Sequence, residues 1–239
     1  MKTKLASALM LGALLATGTA SAALFSGSDA GWAGSYGGSG QVYDNVDGDV
    51  VFAYEASSLP LNTVISINEL QTATADFYTV NLNFTGLSGG ALATPGTYDI
   101  SYWIDTSRTY AFDGTNWNDT GASSEYIYKV SVGADVPGAT PGVDITKTLY
   151  DPSFGAGSLP AAWIGQLVSN SGSSPVFYTT GQPQGFYVTD HIVIGSGGYL
   201  ASTTNTFEVR DIPPAPEPVT LSLLGLGLAA FGARRRFAA

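Results

Sequence analysis

The chain has 239 residues, of which 44% are hydrophobic, 12% aromatic and only 12% charged, and it contains no cysteine. This composition excludes a disordered chain, which would be poor in apolar residues, and a small domain held together by disulfide bonds. The formal net charge of -10 argues against nucleic-acid binding, which needs a basic surface. We therefore expect a folded protein with no nucleic-acid partner.

Residues 1–22 have the features of a secretory signal peptide. A basic start and an uncharged apolar segment at 5–15 precede the small residues Ala20 and Ala22, which suit the specificity of signal peptidase. The sequence therefore predicts export, with signal peptidase as the first processing partner and a mature chain that begins near Ala23.

The segment that follows divides into a flexible leader and a folded domain. Residues 23–40 are rich in Gly and Ser and are predicted to form the leader, whereas 41–212 alternate between apolar and polar residues in many short stretches. The most regular apolar faces are predicted to be Tyr78, Val80, Leu82 and Phe84; Tyr98, Ile100, Tyr102 and Ile104; and Tyr126, Tyr128, Val130 and Val132. Further predicted strands are 41–46, 49–55, 63–68, 143–149, 163–168, 186–194 and 206–210.

About ten short strands separated by Gly, Pro, Asn, Asp and Ser predict an all-β protein. We expect a single antiparallel β-sandwich of jelly-roll or immunoglobulin-like architecture over 41–212, because neither side of the Gly- and Pro-containing segment 133–142 has enough strands for two sheets. Asp47-Gly48, which lies between two of these strands, predicts a two-residue hairpin turn.

The same turn contains weak candidates for a calcium site. Asp44, Asp47 and Asp49 offer the carboxylate oxygens that calcium prefers, but they lack the order of an EF-hand loop and also suit a hairpin without a metal. Calcium is therefore possible and no other cofactor is expected, because one histidine and no cysteine make a transition-metal site improbable.

No catalytic residue is predicted. The G-x-S-x-G string at 86–90 follows a strand but does not open a helix, as a nucleophile elbow must. The single histidine, His191, lies beside Asp190, and adjacent strand residues point to opposite faces. His191 is expected on the surface, and Asp190 is expected either as a buried, hydrogen-bonded carboxylate or at a bulge. A hydrolase that uses two of Asp99, Asp105, Asp113 and Asp119 is the least favoured alternative.

A loop tryptophan provides a candidate glycan contact. Trp117 lies among turn-forming residues, where its ring can stack on a sugar while Asn116 and Asp119 bind hydroxyl groups; the alternative is that Trp117 folds back over the edge of the core. Residues 23–216 contain four basic and eighteen acidic residues, and the basic ones are scattered. An acidic polysaccharide is therefore not expected to bind through charge alone.

The C-terminal segment 213–239 has three parts. Pro216, Glu217 and Pro218 precede an uncharged apolar run at 219–233, and Arg234, Arg235 and Arg236 follow it at once. As a helix this run would span about 22 Å, which is short for a hydrocarbon core of about 30 Å. The arginines are expected to keep the C-terminus in the cytoplasm.

This order of Pro-Glu-Pro, apolar helix and terminal arginines resembles the PEP-CTERM sorting tail of Gram-negative bacteria. The resemblance implies a transient inner-membrane anchor, cleavage by exosortase near the Pro-Glu-Pro motif, and transfer to the cell surface or extracellular matrix. The function expected from these features is a non-enzymatic surface protein with a structural or adhesive role in the extracellular polysaccharide of a biofilm. A glycan-binding module of the cell envelope is the first alternative, and a secreted hydrolase is the second.

Overall fold

The fold is described from a computed structural model for residues 20–60, 63–84, 95–135, 142–151, 163–170 and 174–212. Two six-stranded antiparallel sheets pack face to face and form a β-sandwich. The prediction of an all-β sandwich is confirmed. The predicted signal peptide up to residue 19, the G-x-S-x-G string at 86–90 and the tail from residue 213 lie outside the described residues.

The first sheet has the strand order β1-β4-β5-β14-β9-β12. Its strands are β1 (Ala20–Gly27), β4 (Val64–Gln71), β5 (Asp76–Asn83), β9 (Glu125–Asp135), β12 (Val176–Tyr178) and β14 (Ser202–Asp211). The second sheet has the order β11-β10-β13-β6-β3-β2. Its strands are β2 (Gln41–Tyr43), β3 (Val51–Ser57), β6 (Gly96–Asp105), β10 (Val143–Tyr150), β11 (Trp163–Asn170) and β13 (Gly185–Ile194). Strands from both sides of segment 133–142 therefore share each sheet.

Two smaller features complete the described fold. Strands β7 (Arg108–Phe112) and β8 (Trp117–Ala122) pair only with each other and form a two-stranded hairpin, which we call the hairpin arm. Helices α1 (Asp29–Ala33) and α2 (Ser35–Gly38) connect β1 to β2. Ser28 caps α1 because its hydroxyl accepts a hydrogen bond from the Gly31 amide at 3.1 Å.

The core consists of the inner faces that alternation predicts, with one exception. The predicted faces on β5 and β6 are confirmed, because Tyr98 is half-buried against the core and the other members are fully buried: Tyr78, Val80, Leu82, Phe84, Ile100, Tyr102 and Ile104. On β9 the prediction is wrong for Tyr126 and Tyr128, which are half-buried, while Ile127 is fully buried. The register of β9 against β14 shifts between Ile127 and Lys129, so a bulge moves the inner face by one residue there.

The predicted flexible leader has defined structure. Residues 20–27 form the edge strand β1 on β4, and Trp32 of α1 is fully buried against the rings of Phe25, Tyr54 and Tyr102. The prediction of flexibility rested on the Gly- and Ser-rich composition and did not take into account that one large aromatic side chain, Trp32, can pack in the core.

The predicted two-residue turn at Asp47-Gly48 is also wrong in length. Strands β2 and β3 do form an antiparallel hairpin, with Tyr43 opposite Val51. The connection between them covers 44–50, and it is closed by a hydrogen bond from the Asp44 amide to the Val50 carbonyl at 2.8 Å. The longer loop brings the Asp44, Asp47 and Asp49 side chains to one end of the sandwich.

Candidate functional site

A cleft of about 500 Å³ lies on the outer side of the second sheet, beside the hairpin arm. Its lining includes Gln41, Trp103, Asp105, Tyr110, Asp151 and Gln184. Aromatic rings with a few polar side chains are the usual lining of a small-molecule site. The cleft is therefore the candidate binding site for an external ligand.

Trp103, which lines the cleft, is the first of three aromatic residues that form a row across three strands. Cross-strand register places Tyr150 of β10 opposite Tyr187 of β13, and Tyr187 opposite Trp103 of β6. The ring centroids of Trp103 and Tyr187 are 4.7 Å apart, and those of Tyr187 and Tyr150 are 6.1 Å apart. All three are half-buried on the outer face. We call these residues the aromatic ladder.

Trp103 was not among the predicted glycan contacts, although the sequence contains a signal for it. Tyr102 and Ile104 occupy the inner face of β6, so Trp103 had to lie on the outer face with Asp99 and Asp105. A tryptophan on the polar face of an amphipathic strand does not pack in the core, so it is a candidate for contact with an external ligand.

The predicted glycan contact Trp117 begins β8 of the hairpin arm and is half-buried. Its ring stacks on Tyr43, with centroids 5.0 Å apart and an interplanar angle of 13°. Asp119 pairs with Arg108 at 2.5 Å, and the backbone N–H of Asn116 donates a hydrogen bond to the Asp113 carboxylate at 2.8 Å. Tyr43 thus covers one face of Trp117, and the glycan role of Trp117, Asn116 and Asp119 stays a prediction.

The three calcium candidates belong to a larger group of carboxylates. Asp44, Asp47 and Asp49 lie beside Glu69 of β4, Asp76 of β5 and Glu125 of β9, and we call these six residues the acidic cluster. Carboxylate oxygens of Asp44, Asp47 and Glu69 lie within 4.8 Å of one another, as do those of Asp47, Asp49 and Asp76. Glu69, Asp76 and Glu125 were not among the predicted calcium ligands.

Hydrogen bonds and burial give members of the acidic cluster different pKa values. The Tyr78 hydroxyl donates to Asp44 Oδ2 at 2.9 Å, and the Val46 amide donates to Asp44 Oδ1 at 2.8 Å. Burial raises the pKa of Asp44, but hydrogen bonds outweigh it, and the pKa is lowered overall. Burial, followed by repulsion from Asp44, raises the pKa of Glu69 to about 9, and burial followed by repulsion from Glu125 raises the pKa of Asp49 to about 8.

Asp190 and His191 have partners outside the acidic cluster. Asp190 is fully buried, 3.0 Å from Lys147 Nζ, and accepts a hydrogen bond from Asn205 at 2.7 Å, so the expectation of a buried, hydrogen-bonded carboxylate is confirmed. His191 lies on the surface as expected, 2.6 Å from Asp99.

The carboxylates proposed for a hydrolase have separate partners. Asp99 contacts His191 and Asp119 contacts Arg108, while Asp105 accepts from the Ser107 amide at 2.8 Å. Asp113 accepts hydrogen bonds from the turn amides of the hairpin arm. Each of the four carboxylates therefore has its own local partner in the described structure.

Glu208 of β14 is the other buried carboxylate with basic partners. Lys129 Nζ lies 2.6 Å from Glu208 Oε2, and Arg210 contacts Oε1. Burial raises the pKa of Glu208, but hydrogen bonds from Lys129 and Arg210 outweigh burial and lower the pKa overall.

Comparison with known proteins identifies the C-terminal segment. The PEP-CTERM protein-sorting motif matches residues 214–236, which include Pro216, Glu217, Pro218 and the arginines 234–236. The resemblance is thereby confirmed, and the chain carries the sorting tail of an exported, surface-directed exosortase substrate. No helix in the described part of the chain is long and apolar enough to cross a membrane.

Among curated proteins, no sequence matches this chain. Solved structures with partial similarity include a glycosylation-associated protein complex from Streptococcus agalactiae, with 11% identity and a TM-score of 0.23, and an arabinose-bound α-L-arabinofuranosidase, with 8% and 0.26. The alignments cover 68% and 71% of this chain but only 45% and 26% of those chains. A CBM4 structure aligns over 71% of this chain and 92% of its own, with 10% identity and a TM-score of 0.24. These low TM-scores carry no functional argument.

Proposed function

We propose that this protein is a non-enzymatic component of the cell surface or extracellular polysaccharide matrix, with an adhesive role carried by the cleft. The observation that supports this function is the aromatic ladder, which ends at a cleft lined by Trp103 and polar side chains. Sorting by exosortase delivers such a domain to the compartment where polysaccharide is found.

The chemistry of the cleft favours a neutral glycan. Half-buried aromatic faces provide apolar area for the C–H faces of sugar rings, and the oxygens of Asp105 and Asp151 together with the Gln41 amide can bind hydroxyl groups. None of the described residues that line the cleft is a lysine or an arginine, and the mature segment is strongly acidic. An anionic polysaccharide would therefore be repelled.

The hairpin arm is a second candidate position for the same function. Trp117 lies on the arm, whose Tyr110 borders the cleft, and its half-buried ring packs against Tyr43 and Phe112. A glycan that extends beyond the cleft would meet this ring. Asn116 and Asp119 are exposed next to it.

Three aromatic substitutions test the adhesive role. Trp103→Ala is expected to lower the affinity for neutral extracellular polysaccharide of the producing cells at least tenfold, or about 1.4 kcal/mol, in affinity electrophoresis. Trp117→Ala tests the arm. Tyr178→Ala is the matched control, because Tyr178 is 59% exposed on β12 of the first sheet and does not line the cleft. Equal affinities for all three variants and the wild type would contradict the glycan-binding role.

The processing route is tested separately by mass spectrometry of the surface fraction. We propose that signal peptidase cuts after Ala22 and that exosortase cuts near Glu217, while arginines 234–236 hold the uncut tail in the inner membrane. Surface-displayed protein should then begin near Ala23 and lack peptides from 221–239. Recovery of intact tail peptides from that fraction would show that the tail is a permanent anchor.

A further inference from the structure

Carboxylates occupy positions in the first sheet where apolar residues are expected. Glu69 continues the inner face that Ile65 and Ile67 form on β4, and Asp76 and Glu125 take equivalent inner positions on β5 and β9. Side chains of this type are almost never buried unless they are paired or bind a metal. Inner-face carboxylates at one end of the sandwich therefore point to a ligand.

Each of these carboxylates has at least one buried oxygen without a hydrogen-bond partner. Glu69 is 2% exposed, and neither of its carboxylate oxygens has a hydrogen-bond partner. Asp76 Oδ1 and Glu125 Oε2 are likewise buried without one. In the described part of the chain, the ion pairs involve Asp99, Asp119, Asp190 and Glu208, so no basic side chain pairs with the acidic cluster. A buried charge without a counterion is costly, and a bound cation would remove that cost.

The donor set and its spacing fit calcium. Calcium binds six to eight oxygen atoms at about 2.3–2.6 Å, so its ligand oxygens lie within about 5 Å of one another. Both carboxylate triplets of the acidic cluster meet this spacing, and they share Asp47. No nitrogen or sulfur ligand that would favour a transition metal belongs to either triplet.

We propose that the acidic cluster is a calcium-binding site in which Asp47 joins Asp44 and Glu69 to Asp49 and Asp76. The bound ion fastens loop 44–50 of the second sheet to strands β4 and β5 of the first sheet. It thereby closes one end of a sandwich that has no disulfide bond. This site is independent of the cleft and of the proposed adhesive role.

The calcium site also supports the hairpin arm. The Tyr110 amide of the arm donates a hydrogen bond to the Gly48 carbonyl at 2.6 Å, and Gly48 lies between Asp47 and Asp49. An ion that fixes these two carboxylates fixes the loop backbone on which the arm rests.

Calcium titration of the full-length chain in detergent tests the proposal. After treatment with EDTA and dialysis, isothermal titration calorimetry with CaCl2 should show saturable binding. Calcium at a hundredfold excess over the Kd should raise the Tm by at least about 5 °C. MgCl2 should raise it less, because magnesium demands an octahedral site and retains its waters. No binding heat, or an equal response to MgCl2, would overturn the assignment to calcium.

Charge-neutralising variants distinguish a ligand from a structural residue. Glu69→Gln should weaken calcium binding at least tenfold and should melt below the wild type in calcium. In EDTA it should melt at or above the wild type, because without the ion the buried Glu69 carboxyl group has no basic partner that the amide would lose. Asp47→Asn, at an exposed position, should weaken binding similarly and remains informative if Glu69→Gln does not fold. Asp144→Asn, an exposed carboxylate of β10, is the matched control. Wild-type affinity in both cluster variants would refute the site.

Discussion

The buried pair of Lys147 and Asp190 gives a quantitative prediction of stability. Both side chains are fully buried, with Lys147 Nζ 3.0 Å from Asp190 Oδ1 and 3.1 Å from the Tyr102 hydroxyl. Lys147 Nζ also lies 5.2 Å from the ring centroid of Phe207. Lys147→Met keeps the unbranched stem but removes the cation, and it leaves the Asp190 carboxylate buried without its counterion.

Removing one partner of a buried ion pair costs about 3–5 kcal/mol. The hydrogen bond from Asn205 to Asp190 remains in the variant, so we expect the lower end of this range, about 3 kcal/mol. For a domain of this size the Tm should fall by roughly 6–12 °C. Urea unfolding followed by circular dichroism, at a fixed calcium concentration, measures the free energy directly.

A double variant separates the loss of the charge from the loss of packing. Lys147→Met combined with Asp190→Asn leaves no buried charge and retains an acceptor for Asn205, so it should recover about 2 kcal/mol relative to Lys147→Met alone. Arg108→Met breaks an exposed pair and should leave the Tm unchanged within error. A Lys147→Met variant within about 1 kcal/mol of the wild type would refute this account of the core.

Three further predictions concern the loop, the first sheet and the tail. Gly48→Ala should lower the free energy of unfolding by about 2–3 kcal/mol, because φ is 77° and a Cβ would lie 1.9 Å from the Tyr110 carbonyl oxygen. Gly114→Ala, at φ 97° with open space around the position, should cost only about 1 kcal/mol in the same urea unfolding measurements. Glu208→Gln should cost about 1 kcal/mol at pH 7. Because the folded-state pKa of Glu208 is lowered, this difference should shrink in urea titrations as the pH falls below 4.5. Glu217→Gln should leave uncut precursor in the inner membrane on immunoblots.

Alternation predicted the inner strands because each of them has one apolar face against the core. Strands β5 and β6 follow this rule along most of their length, whereas β7, β8 and β12 were missed because they have few buried residues. The bulge in β9 could not be predicted, since the pairing register with β14 decides whether Tyr128 or its neighbour in the chain faces the core.

Only three of the six residues of the acidic cluster could be predicted from the sequence. Asp44, Asp47 and Asp49 are neighbours along the chain, and their spacing indicates hard-oxygen ligands. Glu69 and Asp76 join them only through sheet packing, which no local pattern encodes. A glutamate two residues beyond Ile67 was nevertheless a detectable break in the apolar face of β4.

The sheet register has a consequence for the orientation of the precursor. Ala20 of β1 lies opposite Gln71, which lies opposite Asp76, which in turn lies opposite Val209 near the end of β14. The two points where the targeting segments join the domain are therefore on the same end of the first sheet, about 14 Å apart. If the tail anchors the precursor as proposed, this end of the domain, with its acidic cluster, would lie nearest the lipid surface, and the opposite loops would face outward. Cleavage of the tail would then free the same end, where the cleft and the hairpin arm also lie.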